Sequence, residues 1–179
     1  IKYQVQGRYQ IQRKVLVKPG YIQSVVLAPV GRAGADHTVV VTNVYVDPES
    51  QASRLAGVEA LKGVPRGKYA VIGGDMNFVA NAATDTTSGT KYYGADQVPV
   101  RELFSQVATD LQLTEPIQTD HTYVRREGAK SVTSRIDRIF HSLSTATQSI
   151  SRISARTVKT PIHPYSEKGF HPPDHLPVT

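Results

Sequence analysis

The sequence predicts an α/β domain with a mixed sheet, and three observations carry that expectation. Strand-like segments outnumber helical ones, and the helical segments fall between strands rather than at one end. The longest strand-like run, HTVVVTNVYV from His37 to Val46, is near-continuously apolar and β-branched. That pattern predicts a strand buried on both faces.

The elements follow in order. Val15 to Val17 end at the turn signal Pro19-Gly20, and Tyr21 to Pro29 is a second apolar, β-branched run. Gly31 to Gly34 marks the next turn, before the run that ends at Val46. Asp47-Pro48 then predicts a helix start, Asp47 capping free amides and Pro48 suiting the first helical position. Leu55, Val58 and Leu61 line one face of that helix, and Gly63 ends it. Tyr69 to Ile72 reads as a short buried strand stopped by Gly73-Gly74, and Asn81 to Val98 as a long polar surface loop. Val100, Leu103, Phe104, Val107, Ala108 and Leu111 give the clearest amphipathic helix in the chain. Thr122 to Val124, Ser134 to Phe140 and Ile150 to Val158 read as further strands. A proline- and histidine-rich loop, Pro161 to Pro173, then leads to a last strand at Leu176.

A length of 179 residues suits one domain spanning residues 1–179. The absence of cysteine excludes a disulfide framework, thiolate zinc sites and a cysteine nucleophile. It fits a reducing, intracellular setting, with the nucleus as one option. No run approaches the roughly 20 apolar residues of a membrane helix. Lys and Arg number 21 against 15 Asp and Glu, a formal charge of +6. That balance favours a polyanionic partner such as DNA, since protein cations displace counterions from phosphates. Simple solubility explains it as well.

Three segments place chemistry-bearing groups at the tip of a strand. In VIGGDMN (71–77), Asp75 and Asn77 emerge two residues apart and face the same side if the backbone is extended. A carboxylate beside a carboxamide can position water or metal and donate to a phosphate oxygen; an ordinary Asx turn is the competing account. In SRIDRIF (134–140), Asp137 lies among apolar neighbours and needs a dedicated partner. Histidine is one candidate, and a structural salt bridge to Arg135 or Arg138 is the other. In PPDHLPV (172–178), Asp174 and His175 precede a short apolar strand, one able to hold metal or water while the other contacts a phosphoryl group. His163 and His171, in the same loop, read as solvated.

Taken in order, GGDMN, SRIDRIF and DHLPV resemble the three C-terminal signatures of the endonuclease/exonuclease/phosphatase superfamily. TNVYVDP (42–48) is similar to a further motif, in which a strand delivers a tyrosine, here Tyr45, to the active site. Core packing is the alternative for Tyr45. The resemblance covers residue 38 or so to the end and implies a four-layered αββα sandwich of the DNase/apurinic-endonuclease type. It also implies divalent-metal-dependent phosphodiester hydrolysis by in-line attack of water, with Mg²⁺ as the ion and Mn²⁺ as an alternative.

Site roles transfer residue by residue. Asp75 would orient or deprotonate the attacking water, or protonate the leaving oxygen, and share in metal binding. Asn77 would hydrogen-bond the scissile phosphate. His175 would contact a non-bridging oxygen, with Asp137 holding its ring. Asp174 would help bind the metal, and Tyr45 would support the phosphate or the metal.

Two departures qualify this. The family supplies an asparagine and a metal-binding glutamate from its first two strands, whereas Ile1 to Gly34 contains no carboxylate and Asp36 is the first acidic residue. Those strands are therefore expected before Ile1, the chain is expected to be N-terminally truncated, and residues 1–179 alone to be weakly active or inactive. Pro173 stands where the family has a serine that would donate a local hydrogen bond, which proline cannot do.

Within the superfamily, SRIDRIF and the upstream HTYVRREG look most like the endonuclease domains of non-LTR retrotransposons. That resemblance implies DNA as partner and a reverse transcriptase domain in the same parent chain. Arg125, Arg126, Lys130, Arg135 and Arg138 are the candidate nucleic-acid-binding residues, with a solvated loop as the other account. Two further functions stay open: hydrolysis of inositol polyphosphates or other phosphoesters, and a degenerate, non-cutting nucleic-acid-binding domain.

Overall fold

A computed structural model defines residues 8–18, 21–31, 37–87, 97–127 and 130–144, with the backbone alone at 125–127, 130 and 131. In chain order these residues form β1 (Tyr9–Lys18), β2 (Ile22–Pro29), β3 (Val39–Tyr45), α1 (Gln51–Ala60) and a 3-10 turn at Leu61–Gly63. There follow β4 (Tyr69–Asp75), α2 (Val98–Asp110), β5 (Tyr123–Glu127), β6 (Lys130–Ser134) and β7 (Asp137–His141). Five strands make one sheet in the order β1-β2-β3-β4-β7, while β5 and β6 pair as a separate ribbon. β3 and β4 run parallel, with α1 in the crossover between them, and the other pairs in the large sheet are antiparallel. The mixed α/β sheet predicted from sequence is present.

The core lies between one face of this sheet and the two helices. Ile22, Val26, Val40, Val44 and Ile72 from the strands meet Val58 and Leu61 from α1 and its turn, and Val100, Phe104 and Val107 from α2. Phe104 sits between Phe78 and Phe140, with ring centroids 5.3 and 5.0 Å away. Full burial of each such side chain contributes about 1.5–3 kcal/mol. The aromatic trio ties the segment after β4 and the strand β7 to a single helix.

β3 corrects the expectation of a strand buried on both faces. Val40, Thr42 and Val44 are buried, whereas Val41 is 42% and Tyr45 41% exposed. Near-continuous apolarity hid an alternation, because valines occupy both faces; the buried Thr42 hydroxyl is satisfied by Ser24, 2.9 Å away.

Three boundaries also differ. Ser50, not Asp47, caps α1: its hydroxyl accepts from the Ser53 amide at 3.0 Å, while Asp47 accepts from the Glu49 amide in a local turn. Gly73 and Gly74 do not stop β4 but lie inside it. Gly74, at φ +143°, is required there, because a Cβ would sit 1.9 Å from the Val44 carbonyl oxygen. SRIDRIF is not one strand either. Ser134 ends β6 in the ribbon, and Asp137 begins β7 in the large sheet. The strands expected at Ile150–Val158 and Leu176, and the loop at Pro161–Pro173, lie outside the described residues.

Candidate active site

The parallel pairing of β3 with β4 and the antiparallel pairing of β4 with β7 bring three predicted residues into one row. Tyr45 is the register partner of Asp75, and Asp75 is the register partner of Asp137. Lateral neighbours in a sheet project to the same face. Tyr45, Asp75 and Asp137 therefore share the face turned away from the helices, at the end where β3 and β4 finish. Tyr45 is not a core residue.

The chain after β4 explains why Asp75 and Asn77 stay accessible. Met76 and Phe78 are fully buried, so the polar residues alternating with them are turned to the other side. The Asp75 backbone oxygen accepts from the Val46 amide, and the Met76 amide donates to Ile136 O, stitching this exit to both neighbouring strands. Asn77 takes a left-handed φ of 49°, a conformation that asparagine tolerates better than most residues. Its backbone amide donates to Asp75 Oδ1 at 2.8 Å, and its Nδ2 donates to Asp75 Oδ2 at 3.0 Å and to Val46 O at 2.7 Å. The Asx turn weighed for this pair exists, and it also builds the site. Both side-chain hydrogens of Asn77 are engaged, so in this arrangement the residue fixes the Asp75 carboxylate.

Asp137 is half-buried, and its backbone is anchored from both sides. Thr122 Oγ1 accepts from the Asp137 amide at 3.0 Å, and Gln118 Nε2 donates to the Asp137 carbonyl at 2.8 Å. The neighbouring arginines turn elsewhere. Arg135 donates to Asp85 from Nε and Nη2, at 3.1 and 2.7 Å, and also to the carbonyl of Gln118. Arg138 reaches Asp85 Oδ2 at 3.1 Å from Nη1 and Glu115 from Nε at 2.9 Å, with a second, short contact to Glu115 from Nη2. With Asp85 fully buried and Arg138 only 5% exposed, these groups form an internal ion network. As arranged, the two guanidinium groups hold the carboxylates of Asp85 and Glu115.

Asp85 escaped the sequence reading, which placed it in a polar surface loop. Burial pushes its carboxyl pKa up, but the amide of Asn81 and the charges of Arg138 and Arg135 outweigh that and hold it below the usual aspartate value.

Of the remaining predicted residues, Arg125 and Arg126 lie in β5 and Lys130 in β6, on the two-stranded ribbon. Asp174 and His175 lie outside the described residues, as do His163 and His171. For a metal ion, the described chain offers the carboxylate of Asp75 at the end of β4; Mg²⁺ needs only one or two carboxylates and fills its other positions with water and phosphate oxygens, a demand this residue fits. No group of three or more His, Cys, Asp or Glu side chains able to hold a metal ion is found among the described residues. Among the described residues no helix is long and apolar enough to cross a membrane.

No family model matches the chain. Nor does any curated protein match it. Solved structures do. The 3′ phosphatase NExo from Neisseria, bound to product DNA hairpin, is 20% identical and aligns over 95% of this chain and 70% of its own, with a TM-score of 0.60. Beta toxin from Staphylococcus aureus is 14% identical over 95% of this chain and 64% of its own, at a TM-score of 0.58. An endonuclease/exonuclease/phosphatase family protein from Bacteroides thetaiotaomicron is 16% identical over 96% and 64%, at 0.57. The chain thus spans less than two thirds of the length of two of these three. At these identities the likeness is one of fold: the α/β architecture is shared with these structures.

Proposed function

We propose that this chain carries the phosphate-handling part of a divalent-metal-dependent phosphodiester hydrolase that nicks DNA by in-line attack of water. One observation carries the reading: the sheet register sets Tyr45, Asp75 and Asp137 side by side on an accessible face, with Asn77 folded back onto Asp75.

Asp75, held by two hydrogen bonds from Asn77, orients or deprotonates the attacking water, or protonates the leaving oxygen. Asn77 acts first as the positioning residue for that carboxylate, and contact with the scissile phosphate requires it to exchange one of its present acceptors. Tyr45 flanks the phosphate. The resemblance would have His175, its ring held by Asp137, stabilise charge on a non-bridging oxygen, and would have Asp75 and Asp174 hold the metal. A divalent ion such as Mg²⁺, if held there, would supply neutralisation of negative charge on the phosphate.

DNA is the favoured substrate because the chain is basic and because Arg125, Arg126 and Lys130 concentrate charge on the β5–β6 ribbon. The retrotransposon assignment, with a reverse transcriptase in the parent chain, is supported by the likeness of the SRIDRIF and HTYVRREG segments to endonuclease domains of that kind; an intracellular site of action, the nucleus being one option, is part of the proposal. The four-layered sandwich is supported by the apolar residues Val41 and Val71 on the face opposite the helices, a surface suited to a second sheet.

The test compares the full-length protein on supercoiled plasmid, abasic duplex and a soluble inositol phosphate, with and without Mg²⁺. Mg²⁺-dependent nicking that disappears in Asp75→Ala and His175→Ala supports the proposal. Hydrolysis of the inositol phosphate alone reassigns the substrate, and nicking that survives both substitutions refutes the site.

A further inference from the structure

The row that contains the carboxylates continues beyond Tyr45. The Tyr45 amide donates to the Tyr21 carbonyl at 2.7 Å, and the two rings stack with centroids 6.0 Å apart and planes 25° from parallel. Lys18 places its ammonium 4.6 Å from the centroid of Tyr21, and the Tyr21 amide donates to the Lys18 carbonyl at 3.0 Å. The sequence of groups across the sheet is therefore ammonium, aromatic, aromatic, carboxylate, carboxylate. Charge is divided along it. Lys18 stands at one end of the row and the carboxylates of Asp75 and Asp137 at the other.

We propose that Lys18 and Tyr21 form a strand-gripping subsite for the nucleic acid whose scissile phosphate lies at Asp75; this rests on the function proposed above. Lys18 takes a backbone phosphate. Tyr21 holds the ammonium over its face and backs the half-exposed ring of Tyr45, which stacks on a neighbouring base or sugar. Spacing supports the assignment. Tyr21 and Asp75 are two strand positions apart, about 10 Å at the usual inter-strand distance. A stacked strand rises about 3.4 Å per nucleotide, so the subsite lies about three nucleotides from the bond attacked. A mononucleotide-sized phosphoester would not reach it.

The experiment measures binding of a labelled single-stranded decanucleotide to the whole protein as a function of salt, for the wild type, Lys18→Ala, Tyr21→Ala, Tyr21→Phe and Lys62→Ala. Lys62 pairs with Glu59 on α1 and provides the same change in net charge elsewhere. The expected result is that Lys18→Ala weakens binding about 3- to 10-fold at 0.1 M salt and lowers the slope of log K against log salt by about 0.7, the value for one phosphate contact on a single strand. Tyr21→Ala weakens binding about 5-fold or more, Tyr21→Phe keeps it because the ring is retained, and Lys62→Ala changes neither affinity nor slope. Equal losses in Lys18→Ala and Lys62→Ala, or none in either, overturn the subsite while leaving the proposed function standing. A wild-type protein with no salt-dependent binding of the decanucleotide also overturns the subsite, while the proposed function stands or falls on the plasmid-nicking assay above.

Discussion

Asp75 and Asp85 are separated by one short segment and have opposite fates. Asp75 ends a strand on the accessible face, where its charge is held by an amide and a carboxamide, groups that carry no full charge of their own. Asp85 is fully buried and clasped by two guanidinium groups. The first carboxylate is oriented by the backbone amide and side chain of Asn77 at the end of its strand. The second is neutralised, and its work is to fix Arg135 and Arg138 on either side of Asp137. The proposed site needs both: a carboxylate near solvent at the end of β4, and a buried one that fastens the strand carrying its neighbour.

Four substitutions would break or sharpen that contrast. Asp75→Asn should lower Mg²⁺-dependent hydrolysis by about 10²- to 10⁴-fold and leave the urea midpoint unchanged; a large loss of stability would mean Asp75 resembles Asp85 after all. Asp85→Asn should do the reverse, costing about 3–5 kcal/mol of unfolding free energy, as expected when one side of a buried ion pair is removed. Its pH dependence has a definite sign. The folded pKa of Asp85 is depressed, so its stabilisation is present above the ordinary aspartate value of 3.8 and is lost as pH falls through the lower folded value. The gap between wild type and Asp85→Asn, measured by urea unfolding, should therefore narrow only below about pH 3.8.

Gly74→Ala should combine both failures. The positive φ costs about 1–3 kcal/mol for a residue with a Cβ, and the clash with Val44 must displace Asp75's own strand. Stability and hydrolysis should fall together, and an unchanged rate would show that the carboxylate tolerates movement. Glu115→Gln is the mildest. Glu115 remains 20% exposed, so solvent screens its pairing, and a loss of about 1 kcal/mol or less is expected in the same unfolding assay.

Much of the frame was legible because it rests on local signals. The 3.6-residue spacing of Val100, Phe104 and Val107 does place α2, and a strand running into Gly-Gly-Asp does place Asp75. The misses have physical causes. Valine on both faces of β3 concealed which face is covered. Asp47 and Ser50 both have capping chemistry, and only the backbone angles, φ −147° and ψ 165° at Ser50, decide between them. Asp85 was invisible because its partners Arg135 and Arg138 are 50 and 53 residues away, and a carboxylate among polar neighbours looks solvated until the fold closes around it. The stack of Tyr21 on Tyr45 is likewise created by pairing between strands.

The turn at Asn77 has a consequence for how such a site responds to heat. Its left-handed backbone, its bonds to Asp75 and Val46, and the neighbouring amide's bond to Ile136 tie the carboxylate to three strands at once. Releasing Asp75 means opening the middle of the sheet, so the reactive groups have no melting transition of their own. Activity should persist to the edge of global unfolding and vanish with it, and amide exchange at Met76 and Asn77 should report the stability of the whole domain.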